Sequence, residues 1–389
     1  MILVLNAGSS SLRCALFQPG ADGPDWRAHV ADIGNEPRLA VDGIAQDDTP
    51  PPAGDHAKVA RWLLGRLPAA PTAAGHRIVH GGMRYAAPLG LDAEVVAELE
   101  TLIPLAPAHQ PQALACIRTV TETWPDLPQV ACFDTAFHRT QDRLAQLYPL
   151  PRPLIDEGFV RFGFHGLSYA HVARICPRGR VLAAHLGHGA SLCAIRDGSS
   201  VATTMGFTTL DGLMMGTRSG SVDPGLILHL IRERGLSPDA VATILNERSG
   251  LLGVSGISDD VRVLEASGNL QAREALDLFA YRIVREAGSL IAALGGLDTL
   301  VFTGGIGEHA ARVRAAVCHG LAFAGITVDA DANTRDEAVI GDRSSTVQVR
   351  IVPSDEEREI ACLTEGLIHE CRDREATRDT AIARSRPTI

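Results

Sequence analysis

The chain has 389 residues, longer than one hydrophobic core usually supports, so two domains are expected. Apolar residues make up 46% and charged residues 21%, and the formal charge of -10 leaves no basic footprint for a nucleic-acid backbone or an anionic membrane. Eight cysteines with no C-x-x-C pair read as a reduced, cytoplasmic chain, and no apolar run reaches the length of a membrane span.

The chain opens MILVLNAGSSSLRCALF, two apolar runs around a Gly/Ser turn. That pattern reads as a β-hairpin. Three successive serines add hydroxyls and main-chain N–H groups that favour an anion, so the turn is either a phosphate cradle or an ordinary hairpin turn. Residues 19–57 are rich in Gly, Pro and Asp and read as surface loops around a short strand or two. From Asp92 to Leu102 the spacing of Val95, Val96, Leu99 and Leu102 is helical, and Pro104 and Pro107 stop it. VACFDTAF reads as a buried strand with an acid at its end, and YPLPRPLID as a hinge between domains.

RVLAAHLGHGASLCAIRDG at 180–198 echoes the N-terminal layout of strand, Gly-rich turn and strand, which suggests duplicated α/β domains. VFTGGIGEH at 301–309 places a glycine turn between an apolar run and a helix-like segment, the arrangement that leaves N–H groups facing a phosphate. EEREIACLTEGLIHEC reads as a helix with Ile360, Leu363 and Leu367 on one stripe, and the charged tail beyond it as frayed. His76 and His80 stand at i, i+4, but with no third ligand nearby they do not read as a zinc site.

NAGSSSL, GHRIVHGG, FDTAFH, GFHGLS, HLGHG, GLMMGTRSG, FTGGIGEH and VPSDEE occur in the order and spacing of the acetate kinases, and this resemblance covers nearly the whole chain. It implies an α/β fold of two duplicated actin-like, ribonuclease H-like domains with a nucleotide cleft between them. Residues 1–150, completed by a C-terminal helix over 357–389, form the first domain, and 151–356 the second, nucleotide-binding one. It also implies reversible, direct in-line transfer of the ATP γ-phosphoryl group to acetate, giving acetyl phosphate and ADP with Mg²⁺ or Mn²⁺, by a homodimer. Phosphoryl transfer calls for positioned cations and N–H donors, and acetate, already ionised, needs no general base.

The resemblance makes Arg77, His165 and Arg218 the groups that hold the substrate and the moving phosphoryl group. Taken singly, either arginine reads as a surface salt bridge and His165 as a core histidine. Asp134 matches the family's essential aspartate, read here as organising Mg²⁺ and its waters, with Asn6 and Glu356 as the metal residues. Val79, Ala108, Phe164 and Thr209 match the acyl pocket. Nucleotide contacts carry over to Arg13, to His185, Gly187, His188 and Gly189, to Asp260 and Arg262, and to Gly305, Gly307, Glu308 and His309. The chain departs from the family at Arg13, where Lys is usual, at His188, His309 and Asp355, where Asn is usual, and at Ala108 and Thr209, where Leu and Pro are usual. The alternatives are a propionate or butyrate kinase of the same fold, or a non-catalytic actin-like nucleotide-binding protein.

Overall fold

The computed structural model describes residues 1–43 and 50–384, with side chains described except at 42, 43 and beyond 371. The chain divides into two compact units, Met1–Ala136 with Asp355–Ile389, and Phe137–Ser354. The YPLPRPLID stretch lies inside the second unit and contains the short helix Arg152–Asp156.

In the first unit the strands are β1 (Ile2–Ala7), β2 (Leu12–Phe17), β3 (Trp26–Ala31), β4 (Arg38–Gly43), β5 (Ala73–Ile78), β6 (Leu89–Gly90) and β7 (Gln129–Phe133), in the order β4-β3-β2-β1-β5-β7-β6. The N-terminal Gly/Ser segment is the turn of the antiparallel pair β1/β2, with Asn6 opposite Arg13. The Gly/Pro-rich region supplies β3 and β4, and its residues 44–49 lie outside the described ones. All six residues of β1 are buried because both faces of the sheet are covered, which is why this strand reads as a continuous apolar run. Leu3, Leu5 and Ala7 pack in one core with Val59, Leu63, Cys116 and Val120 of the helices His56–Leu64 and Gln110–Thr123. The opposite face carries Val4, Gly75 and the helix Glu356–Arg384; a Cβ at Gly75 would stand 2.2 Å from Thr364 Oγ1, so only glycine lets that helix approach.

In the second unit the strands are β8 (Arg180–Leu186), β9 (Ala190–Arg196), β10 (Ser199–Thr203), β11 (Thr299–Thr303) and β12 (Gln348–Ile351), ordered β10-β9-β8-β11-β12. Within each unit an antiparallel β1/β2/β3 or β8/β9/β10 meander is followed by two parallel neighbours, β5 and β7 or β11 and β12. The echo between residues 2–17 and 180–196 is therefore a repeated topology. Tyr169 and Val172 of the helix Gly166–Ile175 pack against Val181, Ala183, Cys193 and Ile195.

The helical spacing over 92–102 folds as Ala93–Thr101, with Asp92 as N-cap accepting from the Val95 N–H at 2.8 Å. The charged tail departs from the frayed segment expected: the helix begun at Glu356 continues to Arg384, and only residues 385–389 lie outside the described ones. Among the described residues no helix is long and apolar enough to cross a membrane.

Candidate active site

In the first unit the candidate residues gather at the C-terminal ends of the parallel strands β1, β5 and β7, where open α/β sheets offer side chains to ligands. Strand alternation directs them. Leu3 and Leu5 face the main core, so Asn6 faces the side covered by the C-terminal helix, and Arg77 shares that side with Gly75. Asp134 follows β7 directly, its N–H continuing the ladder to the Ile78 carbonyl at 3.0 Å. Asp355 caps the C-terminal helix, accepting from the Arg358 N–H at 3.1 Å, and so delivers Glu356 and Glu357 to the same place.

These side chains form one network. The Arg77 guanidinium donates from Nε to both Asp134 oxygens at 3.2 and 3.1 Å, from Nη2 to Oδ2 at 2.7 Å, and from Nη1 to Asn6 Oδ1 at 3.3 Å. Asn6 Nδ2 donates to Glu356 Oε2 at 2.9 Å and Glu357 Oε1 at 2.8 Å. Arg13 Nη1 reaches Glu357 Oε1 at 3.7 Å. Burial opposes the Arg77 charge, yet Asp134, Glu356 and Glu357 outweigh it and hold the guanidinium above its ordinary range. Asp134 is pushed up to about 6, by its complete burial first and by the Glu356 charge, against the pull of Arg77.

Three carboxylates thus face two guanidiniums, so the set carries one excess negative charge and presents only hard oxygen acceptors, the chemistry a small divalent cation takes. Among the described residues no three His, Cys, Asp or Glu side chains are arranged to enclose a metal ion. A cation held here would keep most of its water.

In the second unit His165 and Arg218 come together at the β8/β9 turn. A Cβ built on Gly189 would lie 3.2 Å from His165 Nε2 and 3.8 Å from Arg218 Nη1, so the glycine leaves open the space where the two donors meet. Arg218 is steered by the Thr209 carbonyl, 3.0 Å from its Nη1, and by Met215 Sδ at 3.5 Å. His185, on β8, bonds Ser168 Oγ through Nδ1 at 2.8 Å and stacks on the His165 ring at 4.3 Å.

Parallel pairing of β8 with β11, Thr303 opposite His185, places the GGIGEH segment beside this turn as the short helix Gly304–His309. Gly304 has φ 78°, and a Cβ there would stand 2.7 Å from the Leu186 carbonyl oxygen, so glycine is required at that approach. Glu308 Oε1 accepts from the Ser354 N–H at 2.9 Å, and buried Arg314 donates to the Gly307 and Glu308 carbonyls at 3.0 and 2.7 Å. His188 and His309, where the sequence resemblance implies asparagine, each meet an acid: His188 Nε2 with Asp259 at 3.2 Å, His309 Nδ1 with Asp336 at 3.5 Å. Asp260 caps its own helix, and Arg262 folds back onto it at 2.6 Å, which holds the Asp260 carboxyl below its usual range.

The acyl-pocket candidates divide between the units. Val79 is buried in the first unit, where Ala108 is exposed in the turn before the helix Gln110–Thr123; Phe164 is buried and Thr209 half-buried in the second. Sequence reasoning passed over Glu357, Asp259, Asp336, Ser191 and Tyr169. Glu357 stands next to Glu356 in VPSDEE and was within reach; the others bond across 20 or more residues or stand beside a residue already chosen.

The profile of the acetokinase family matches residues 1–362. The acetate kinase of Nitrobacter hamburgensis is 45% identical over 390 residues, covering 94% of this chain and 96% of its own, and that of Rhizobium meliloti is 43% identical, covering 94% and 98%. Among solved structures, Porphyromonas gingivalis acetate kinase superposes with a TM-score of 0.84 at 35% identity, and a propionate kinase from Francisella tularensis with 0.87 at 34%, each covering 94% of this chain and 99% of the other. Coverage of this extent at these identities, together with the repeated topology, makes the chain a member of the acetokinase family.

Proposed function

We propose that the protein is an acetate kinase, a phosphotransferase with a carboxyl acceptor that moves the ATP γ-phosphoryl group reversibly to acetate. The observation that carries this reading is the convergence of His165 Nε2 and Arg218 Nη1 on the space left open at Gly189, two donors suited to the equatorial oxygens of a transferring phosphoryl group. An acetate oxygen attacks the γ-phosphorus in line, the bond to the β-bridging oxygen breaks, and ADP leaves with that electron pair. No proton is abstracted, which suits an Asp134 already engaged by Arg77. Arg77 holds the acyl carboxylate, and His165 and Arg218 hold the oxygens whose charge rises on transfer. Asn6 and Glu356 would hold Mg²⁺, ordered by Asp134 and Glu357, and the ion supplies neutralisation of phosphate charge. The nucleotide takes the turns at His185–Gly189 and Gly304–His309, with Arg13, Asp260 and Arg262 beside it. Val79, Ala108, Phe164 and Thr209 face the acyl group.

The protein is also inferred to work in the cytoplasm, its eight cysteines free, and as a homodimer through the second unit. The helix Pro224–Arg232 carries the apolar pattern PGLILHLIR yet buries none of its residues, with Leu226 and Leu228 46% and 47% exposed. Sedimentation of a monomer at micromolar concentration would end the dimer reading.

Hydroxylamine trapping of acetyl phosphate from acetate and ATP tests the activity. Arg77→Ala and Arg218→Ala should each lower turnover by roughly two to four orders of magnitude with ADP binding little changed. ATP hydrolysis with no acyl hydroxamate at any acetate concentration would sink the reading.

A further inference from the structure

His165 is held in place twice over. It precedes the helix Gly166–Ile175 with φ 57° and ψ 24°, the left-handed region, which a residue bearing a side chain rarely adopts. Its backbone is fixed from the residue before. Buried His138, kept neutral by a pKa lowered to about 4 through burial, stands with Nε2 2.9 Å from the Phe164 carbonyl and Nδ1 3.0 Å from Ser200 Oγ. The ring is fixed separately: His165 Nδ1 lies 2.9 Å from Ser191 Oγ, and Ser191 Oγ lies 2.5 Å from the Tyr169 hydroxyl, both partners fully buried.

The direction of each proton in that chain can be worked out. Tyr169 is a neutral phenol, burial carrying its pKa well above the ordinary value, and Ser191 Oγ is the acceptor the structure sets against its buried hydroxyl. The single Tyr169 proton therefore goes to Ser191 Oγ. Ser191, having accepted there, directs its own proton at His165 Nδ1. Electrostatics agree, since a second positive charge on this ring would face Arg218 across Gly189 and stack on His185 at 4.3 Å.

We propose that Ser191 and Tyr169 are positioning residues that hold His165 as the neutral Nε2–H tautomer, with that N–H directed into the space at Gly189. The inference rests on the proposed role of His165 as a donor to the transferring phosphoryl group. Ser191 and Tyr169 touch no substrate; they act through the imidazole, and Gly189 keeps the donor's target free of side chain.

Two-bond ¹⁵N–¹H correlation spectra of the full-length protein labelled with ¹⁵N-histidine, recorded at pH 7.5, test this without turnover. His165 is identified by the signals lost in His165→Asn. The expected result is an unprotonated Nδ1 and a protonated Nε2, with the Nδ1 resonance moving further toward the free-acceptor position in Ser191→Ala. A protonated Nδ1 in the wild type overturns the proposal. In kinetics, Tyr169→Phe and Ser191→Ala should lower kcat by about 5- to 50-fold with KM for acetate and ATP within twofold, and Ser191→Thr should recover most of the loss. Unchanged kcat in both hydroxyl-deleting variants overturns it as well. If His165→Asn itself leaves turnover intact, the phosphoryl-donor reading of His165 fails while the tautomer assignment is still decided by the spectra.

Discussion

Asp134 should make the metal-free first unit less stable as the pH rises through the range in which its carboxyl ionises. Burial and Glu356 raise this carboxyl from 3.8 to about 6, so the native state binds the proton more tightly than the unfolded chain does. The contribution is then complete below about pH 4 and is lost as the pH rises through about 6. At about 1.4 kcal/mol per pH unit the whole effect is about 3 kcal/mol, of which a little under half falls between pH 5 and 7. With a urea dependence of roughly 2–3 kcal/mol per molar, that is about half a molar in the midpoint. The three tryptophans, Trp26, Trp62 and Trp124, all lie in the first unit and pack in or against its core, so intrinsic fluorescence reads the unit that contains Asp134. The measurement compares wild type with Asp134→Asn at pH 5 and 7 in chelator. The variant carries a neutral amide there at every pH, so it lacks this slope and otherwise differs from the wild type by a fixed offset. That offset is independent of pH, and the wild-type advantage should shrink by about half a molar urea from pH 5 to pH 7. A constant difference would mean that Arg77 keeps the carboxylate ionised throughout this window, with its pKa at or below the ordinary value, and refutes the reasoning.

Glu356→Gln keeps a partner for Asn6 but removes one of the three negative charges. It should raise the Mg²⁺ concentration for half-maximal rate by about tenfold while KM for ATP at saturating Mg²⁺ stays within about threefold; a metal titration that superposes on the wild type would remove Glu356 from the site. For acyl choice, the proposed pocket has Ala108 where the sequence resemblance implies leucine, and one methylene in an apolar pocket is worth about 1–3 kcal/mol. Propionate should therefore be used within about tenfold of acetate in kcat/KM, and Ala108→Leu should lose propionate selectively. Wild-type rejection of propionate by more than about a hundredfold would show that another side chain fills the gap.

Local features were the legible ones. The turn after β1, the glycine turn after β11 and the acid after β7 each follow from a run of apolar residues broken by residue types a strand does not need, and the echo of S-L-C-A beside S-L-R-C-A announced the repeated topology. Partnerships across distance were not legible. Nothing in GFHGLS says that its histidine bonds Ser191, 26 residues on, because a hydroxyl in a strand is more often satisfied by its own backbone. Asp336 likewise lies in an unremarkable stretch, yet it meets both His309 and buried Arg314. The tail was misread for a different reason. A helix without an apolar stripe has no sequence signature of burial, and residues beyond 371 continue the helix from a well-packed start at Ile360, Ala361 and Thr364.

The two repeats place a polar residue at the same point and use it for opposite chemistry. Asn6 is the penultimate residue of β1 and His185 the penultimate residue of β8, and each bonds the first turn of a helix packed on its face: Asn6 with Glu356, His185 with Ser168. The difference lies in those first turns. That of the C-terminal helix holds Glu356, Glu357 and Glu359, acids that a helix N-terminus stabilises, whereas that of Gly166–Ile175 holds none and is entered through His165. The first arrangement accumulates negative charge around one strand end and suits a cation. The second leaves the helix dipole unneutralised beside a glycine turn and an arginine, and suits a phosphoryl group. A few side chains at two equivalent helix starts are thus enough to give one repeated strand-and-helix layout opposite electrostatic preferences.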